Sequence, residues 1–453
     1  MRIDALLVLA TAACSAAPAL SVSSVSVSAN PLNPLSALVS FEARGGDCAR
    51  VIYAAPGDAL AATPCHAVST GSATIAVLGL LPSTSYNGQL ELRSGGAVAA
   101  SWPISFSSGA VPSDLDAHLE VSGAPSDGYL LTAVGFYAVA FDGAGRLRWL
   151  RALNDSVVET KQQANGDFTS YQGGSNGFNG VDGRFLQYQP SGEIRRTWGT
   201  GAPIFTDSHE LLLTFDASGA VAAAHFFTYQ FITGDGTDEP DQVAIHSLSR
   251  QLPDGTVQTV YASEPAPAEV IEGPGLFAFP DLDHPNSIDF DTDGNYVVSF
   301  RNLGEIKKID ATTGAVLWRL GGTASDFAFV NDPEGGFSAQ HSARVVGEGR
   351  LLVYDNGWRH SPQETRAVEY ALDPQAKTAT LVWQYRSGTF TAYMGSVQRL
   401  AGGDTLVGLS SGEAVRIDAQ GNEVSRARLM VSGAQTPFYR MTRVPSLYEY
   451  QRP

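Results

Sequence analysis

The feature that most constrains this chain is one phrase written six times beyond Val111. A strand runs into a turn led by Asp or Pro, and a second strand follows that often ends in Trp. The copies are VAFDGAGRLRWL (139–150), LQYQPSGEIRRTW (186–198), HSLSRQLPDGTVQTVY (246–261), KKIDATTGAVLW (307–318), EYALDPQAKTATLVW (369–383) and VRIDAQGNEVSRA (415–427). Their turn residues Asp142, Pro190, Asp254, Asp310, Asp373 and Asp418 are 48, 64, 56, 63 and 45 residues apart, the length of a four-stranded propeller blade with variable loops. A second phrase, a Gly-led turn and an apolar strand, alternates with the first: NGDFTSY (165), SGAVAAAHF (218), DGNYVVSF (293), EGRLLVY (348) and GDTLVGL (403). The reading is an all-β chain with a six-bladed β-propeller over 113–453; five or seven blades are the alternatives.

Composition agrees. Gly is abundant (47 residues) and only 17% of residues are charged against 43% hydrophobic, which favours many short strands around a large core. The net charge of −17 argues against a nucleic-acid or anionic-membrane binder.

Before the repeats, residues 19–109 read as alternating strands with turns at Asn33-Pro34, Gly45-Gly46 and Gly95-Gly96. Within them LLPSTSY (80–86) resembles the fibronectin type III run into a tyrosine corner, so a small fibronectin-III/Ig-like β-sandwich is expected, a spacer without chemistry of its own. Residues 1–14 read as a signal peptide. An apolar stretch from Ala5 to Ala13 ends in small residues before Cys14, as in a lipoprotein cleavage site, with plain secretory cleavage nearby as the alternative. The expectation is an exported protein, periplasmic or at the cell surface, touching membrane only through a lipid on Cys14. Two cysteines then remain, Cys48 and Cys65, and in an oxidising compartment they are expected to pair.

Three histidines share one place in the repeat. His209, His284 and His341 each precede the glycine of the second phrase by eight to ten residues. Equivalent blade positions lie at one height around a propeller axis, so three imidazoles should meet in the central funnel. His225 and His246 do not recur in this way and read as satisfied core residues. Three histidines could hold zinc, but Arg301, at the end of the strand after His284, would place a fixed cation beside the ion. Arginine with several histidines suits a tetrahedral oxyanion instead. Thus no metal and no cofactor is expected at this site. Two acidic clusters, Asp235, Asp238, Glu239 and Asp241, and Asp289, Asp291 and Asp293, read as solvated turns, with Ca²⁺ held through oxygen ligands as the alternative.

At these residues the sequence resembles the arylsulfate sulfotransferase family, exported bacterial enzymes that use no nucleotide donor. The resemblance is strongest over HPNSIDFDTDGNYVVSFRNLGEIKKIDATTGAVLWRLGG (284–322), continues through QHSARVV, VYDNG, RAVEYALD and ATLVWQY, and returns in FYRMTRVPSLY. It implies an aryl sulfate donor, a phenolic acceptor and ping-pong transfer. His341 would be the nucleophile that becomes a sulfohistidine, His284 and Arg301 would hold the sulfuryl oxygens, and His209 would serve as acid or base for the phenolic oxygen. Phe205, Tyr354, Trp358 and Tyr393 stand near the right strand ends for an aryl ring, but each reads as core or rim rather than as a contact. Pro285 departs from the family pattern and removes a backbone donor beside His284. Other readings are a quinoprotein-like propeller, suggested by IDATTGAVLW, a non-catalytic lipid-anchored binding propeller, and a His-metal hydrolase. The front domain could mediate a homodimer.

Overall fold

A computed structural model describes residues 20–173, 183–233, 242–263 and 281–448. The Cys14 segment and the acidic run at 235–241 lie outside these residues. Every regular element described is a β-strand, and the chain separates into two compact units.

Among the described residues, the first unit comprises 20–30 together with 36–77 and 83–108. A three-stranded sheet orders Ser21–Ala29, Ala37–Arg44 and Gly71–Val77. A second sheet centres on Cys48–Ala54, Ser85–Ser94 and Ala97–Ser107. Burial alternates along Ala37–Arg44, the period-two signature of a strand with one covered face. Tyr86 stacks on Phe106 at 5.4 Å and meets Tyr53 edge-on at 5.9 Å. Cys48 and Cys65 form a disulfide with Cα atoms 5.5 Å apart.

The second unit takes 31–35, 78–82 and the described residues from Gly109 onward. Its sheets follow one another along the chain. The first joins Tyr129–Val134, Tyr137–Asp142 and Leu147–Ala152 to the late strand Thr442–Val444. The next three begin at Val157–Gln162, Phe205–Phe215 and Pro285–Phe290, and each is four antiparallel strands in sequence order. The fifth begins at His341–Gly347 and adds the parallel strand Ala328–Val330. The sixth begins at Ser396–Arg399 and takes Ala117–Gly123 onto its outer strand Glu423–Val431.

The first strands of successive sheets pack on one another, from Tyr129–Val134 through Val157–Gln162, Phe205–Phe215, Pro285–Phe290 and His341–Gly347 to Ser396–Arg399, which packs on Thr442–Val444 of the first sheet. Each Asp- or Pro-led turn of the sequence joins the last two strands of its sheet. At Asp418 the carboxylate accepts the amides of Gln420 and Asn422 at 2.9 and 2.8 Å, closing the hairpin. Apolar clusters fill the spaces between sheets. One joins the fourth to the fifth through Val297, Ile306, Leu320, Val353, Val368 and Tyr370.

Candidate active site

His341 is the first residue of the fifth sheet's first strand, and its ring is held at both nitrogens. Asn356 donates from Nδ2 to the carbonyls of Thr391 (2.8 Å) and Met394 (3.2 Å), so its Oδ1, 2.8 Å from His341 Nδ1, can only accept. Nδ1 therefore carries the proton. On the other side the Met394 amide donates to Nε2 at 3.2 Å, which marks that nitrogen as the one with a lone pair. Burial, followed by the charges of Arg301 and His284, holds the His341 pKa well below the ordinary 6.5. The result is a buried neutral imidazole with its basic nitrogen at Nε2. The Met394 segment is tied down around it. Thr391 N donates to Thr365 Oγ1 at 2.8 Å and Gly395 N to the Tyr439 carbonyl at 3.1 Å. Gly395 has φ +103, and a Cβ there would stand 2.2 Å from the Tyr354 ring, so only glycine allows this approach.

His284 and Arg301 face each other across the start of the fourth sheet. Arg301 N donates to the His284 carbonyl at 3.0 Å and Asn302 N to that of Asp283 at 3.1 Å. Pro285 opens the strand Pro285–Phe290, and this clamp on its two predecessors holds the segment without a proline donor. His284 Nδ1 bonds Asp281 Oδ2. Burial, partly offset by Asp281, lowers the His284 pKa. The Arg301 guanidinium is 1% exposed and donates to Asn302 Oδ1 at 2.7 Å and the Ala392 carbonyl at 3.1 Å.

His209 completes the group. Its Nδ1 lies 2.7 Å from Asp207 Oδ1, its ring centroid 4.5 Å from that of His284, and His284 is 6.2 Å from His341. Tyr439 packs 5.8 Å away and donates to the His209 carbonyl at 3.2 Å. The fold thus brings together the three histidines and Arg301 that the sequence singled out. Among the described residues, four of the nine non-glycine residues with positive φ, His284, Ala339, Ser342 and Met394, belong to or flank this site, the kind of place where such strain collects.

Sequence reasoning missed the partners. Asp207 and Asp281 stand two and three residues before their histidines, a spacing that was legible; Asn356 and Met394 come from other segments. His225 is a core residue, accepting from Tyr296 Oη at 2.8 Å. His246 is not an ordinary core residue. Burial opposes its charge, yet Asp283, Asp281 and Asp207 around it raise its pKa to about 9.

Of the candidate aryl contacts, Tyr354 is fully buried with its hydroxyl 2.7 Å from Thr391 Oγ1, and Phe205 packs on Tyr229 and Phe231. Trp358 lies 5.7 Å from Phe390, and Tyr393 is 45% exposed. Asp291 and Asp293 do not form an open Ca²⁺ site, because Lys308 Nζ lies 2.5 and 2.7 Å from them. Asp289 accepts the amides of Phe290 and Val345. A cavity of about 660 Å³ lined by Lys161, Asp289, Arg344, Arg399 and Arg440 lies toward the opposite ends of the inner strands from the histidines.

The sequence model described as Arylsulfotransferase (ASST) matches residues 278–429, which include His284, Arg301 and His341. No curated protein matches the chain. Among solved structures, a protein of unknown function from Bacteroides caccae is 11% identical, with 70% of this chain and 98% of that one covered and a TM-score of 0.44. The periplasmic gluconolactonase of Pseudomonas aeruginosa is 15% identical (71% and 100% covered, TM-score 0.39). Virginiamycin B lyase from Staphylococcus aureus, bound to quinupristin, is 10% identical (68% and 88% covered, TM-score 0.39). At these scores no activity transfers from them to this chain.

Proposed function

We propose that this chain moves a sulfuryl group from an aryl sulfate to a phenol through a sulfohistidine at His341, a reading supported by the match of residues 278–429 to the arylsulfotransferase sequence model. The observation that carries the reading is the clamped, neutral ring of His341, with Nε2 as its basic nitrogen beside Arg301.

In the first half-reaction the lone pair of Nε2 attacks sulfur, an N–S bond forms, and the S–O bond to the aryl oxygen breaks. His209, with Nδ1 spent on Asp207, passes a proton from its other nitrogen to the leaving phenolate. In the second half the acceptor phenol gives its proton to His209, its oxygen attacks sulfur, and the N–S bond breaks. Arg301 supplies fixed positive charge to the sulfuryl oxygens, and His284 is keyed through Asp281 to the same place. The Met394 N–H must leave Nε2 for that nitrogen to bond sulfur, and once released it can donate to a sulfuryl oxygen. Trp358, Phe390 and Tyr393, on the segments that clamp His341, supply the aromatic surface for the aryl ring.

The finer architecture belongs to the same proposal. The cycle of packed inner strands supports a six-bladed propeller whose first sheet is closed by Thr442–Val444, and the two sheets of the first unit support a small sandwich. Export, a lipid on Cys14 and a periplasmic or surface location rest on the sequence of residues 1–14.

The test is chromophore release from a chromogenic aryl sulfate with and without added phenol. Phenol-dependent release that vanishes in His341→Ala supports transfer. No release from the folded protein across several donors overturns it in favour of a binding protein.

A further inference from the structure

We propose that the chain binds one divalent metal ion, Zn²⁺ or Mn²⁺, between His246 and the pair Asp281 and Asp283, behind the histidine cluster. His246 lies within the strand Gln242–Gln251, and the segment Asp281–His284 runs alongside, pinned by the Asn302 side chain on the Asp281 carbonyl at 2.6 Å and by its amide on that of Asp283. Ligand atoms of His246, Asp281 and Asp283 all lie within 4.8 Å of one another, and the three residues are 3%, 7% and 2% exposed.

Two of the carboxylate oxygens here, Asp281 Oδ1 and Asp283 Oδ2, are buried with no hydrogen-bond partner. Such oxygens are costly to bury unless a cation satisfies them. Their companions are engaged, Asp281 Oδ2 by His284 Nδ1 and Asp283 Oδ1 by His246 Nδ1 at 2.9 Å. On the far side of the same ring Nε2 faces Asp207 Oδ2 at 3.8 Å, which also lacks a hydrogen bond. A metal-bound imidazole commonly gives its other N–H to a carboxylate, and Asp207 occupies that position.

The donor set of one imidazole and two carboxylates suits a borderline ion such as Zn²⁺ or Mn²⁺ rather than Ca²⁺, which takes oxygen ligands. The Arg301 guanidinium disfavours a cation among His209, His284 and His341, whereas the carboxylates around His246 favour one. The ion would reach the histidine cluster through single side chains, since Asp281 also holds His284 and Asp207 also holds His209. It would position those rings and take no part in sulfuryl transfer.

The test is independent of activity. The full chain is stripped with EDTA, equilibrated with ZnCl₂ or MnCl₂, and assayed by metal analysis, titration calorimetry and thermal melting. We expect one equivalent in the wild type and in His341→Ala, with a Tm raised by the ion. His246→Gln and the near-isosteric Asp283→Asn, each checked for a cooperative melt, should weaken binding at least about tenfold, as should Asp207→Asn. Absence of a bound equivalent of either ion in the wild type overturns the proposal. So does binding that survives His246→Gln and is lost in His341→Ala.

Discussion

The Met394 amide nitrogen lies 3.2 Å from Nε2 of His341, while Nδ1–H donates to Asn356 Oδ1 at 2.8 Å. Between them these contacts choose the tautomer in which the nitrogen facing the Met394 segment carries the lone pair. Asn356→Leu removes the shorter acceptor and leaves the buried N–H only the Ala339 carbonyl at 3.2 Å, which should lower kcat about 10-fold for a loss of about 1–1.5 kcal/mol. Asn356→Asp should act differently. A carboxylate beside Nδ1 favours the imidazolium, so the acid limb of kcat/KM should move up in pH.

In the wild type that limb should lie well below pH 6.5, because burial and Arg301 disfavour protonation of His341. Protonated His341 is not a nucleophile, so activity should persist as pH falls through 6.5. A pH–rate profile with an acid limb centred at 6.5 would rule out a shielded His341 as the attacking group.

Arg301 is buried and forked between Asn302 and Ala392. Arg301→Lys keeps the charge but loses the planar fork, and should cost about 10²-fold in kcat, the scale of one donor to developing charge. Because the fork acts mainly in the transition state, KM should change far less than kcat.

Glu210, next to His209, is fully buried and receives Lys161 and Arg344 from two other inner strands, and Arg440 from the segment before the closing strand. Glu210→Leu removes the carboxylate they share and leaves Lys161 and Arg440 only Glu159 at 4.0 and 3.4 Å, which should destabilise the unit by about 3 kcal/mol. Chemical denaturation measures this directly.

His225 is buried, and desolvation, followed by the charge of Arg250, lowers its pKa from 6.5 to about 4. The unfolded chain therefore binds its proton first as pH falls. Stability is unaffected by this group above 6.5, declines between 6.5 and 4, and levels off below, a loss of about 3 kcal/mol. His225→Gln should flatten that part of the stability profile whatever its effect at neutral pH.

What was legible in the sequence is what repeats or is chemically forced. The Asp418-type turns, the register of His209, His284 and His341, and the pairing of Cys48 with Cys65 all follow from spacing or from a count of two. What was hidden depends on strand register and on loops that meet only in the fold. Lys308 neutralises Asp291 and Asp293 because it lies on the neighbouring hairpin, 17 residues from Asp291. Asn356 and Met394 reach His341 from 15 and 53 residues away. His246 looked ordinary because its carboxylate partners come from segments 37 residues later and 39 residues earlier.

The central claim is that His341 carries the sulfuryl group. Full-length protein mixed with an aryl sulfate in the absence of acceptor, quenched at alkaline pH and digested, should show the mass increment of one SO₃ on the peptide containing His341, and a chase with phenol should remove it. An unmodified His341 peptide during active turnover, or the increment on another residue, would contradict the account.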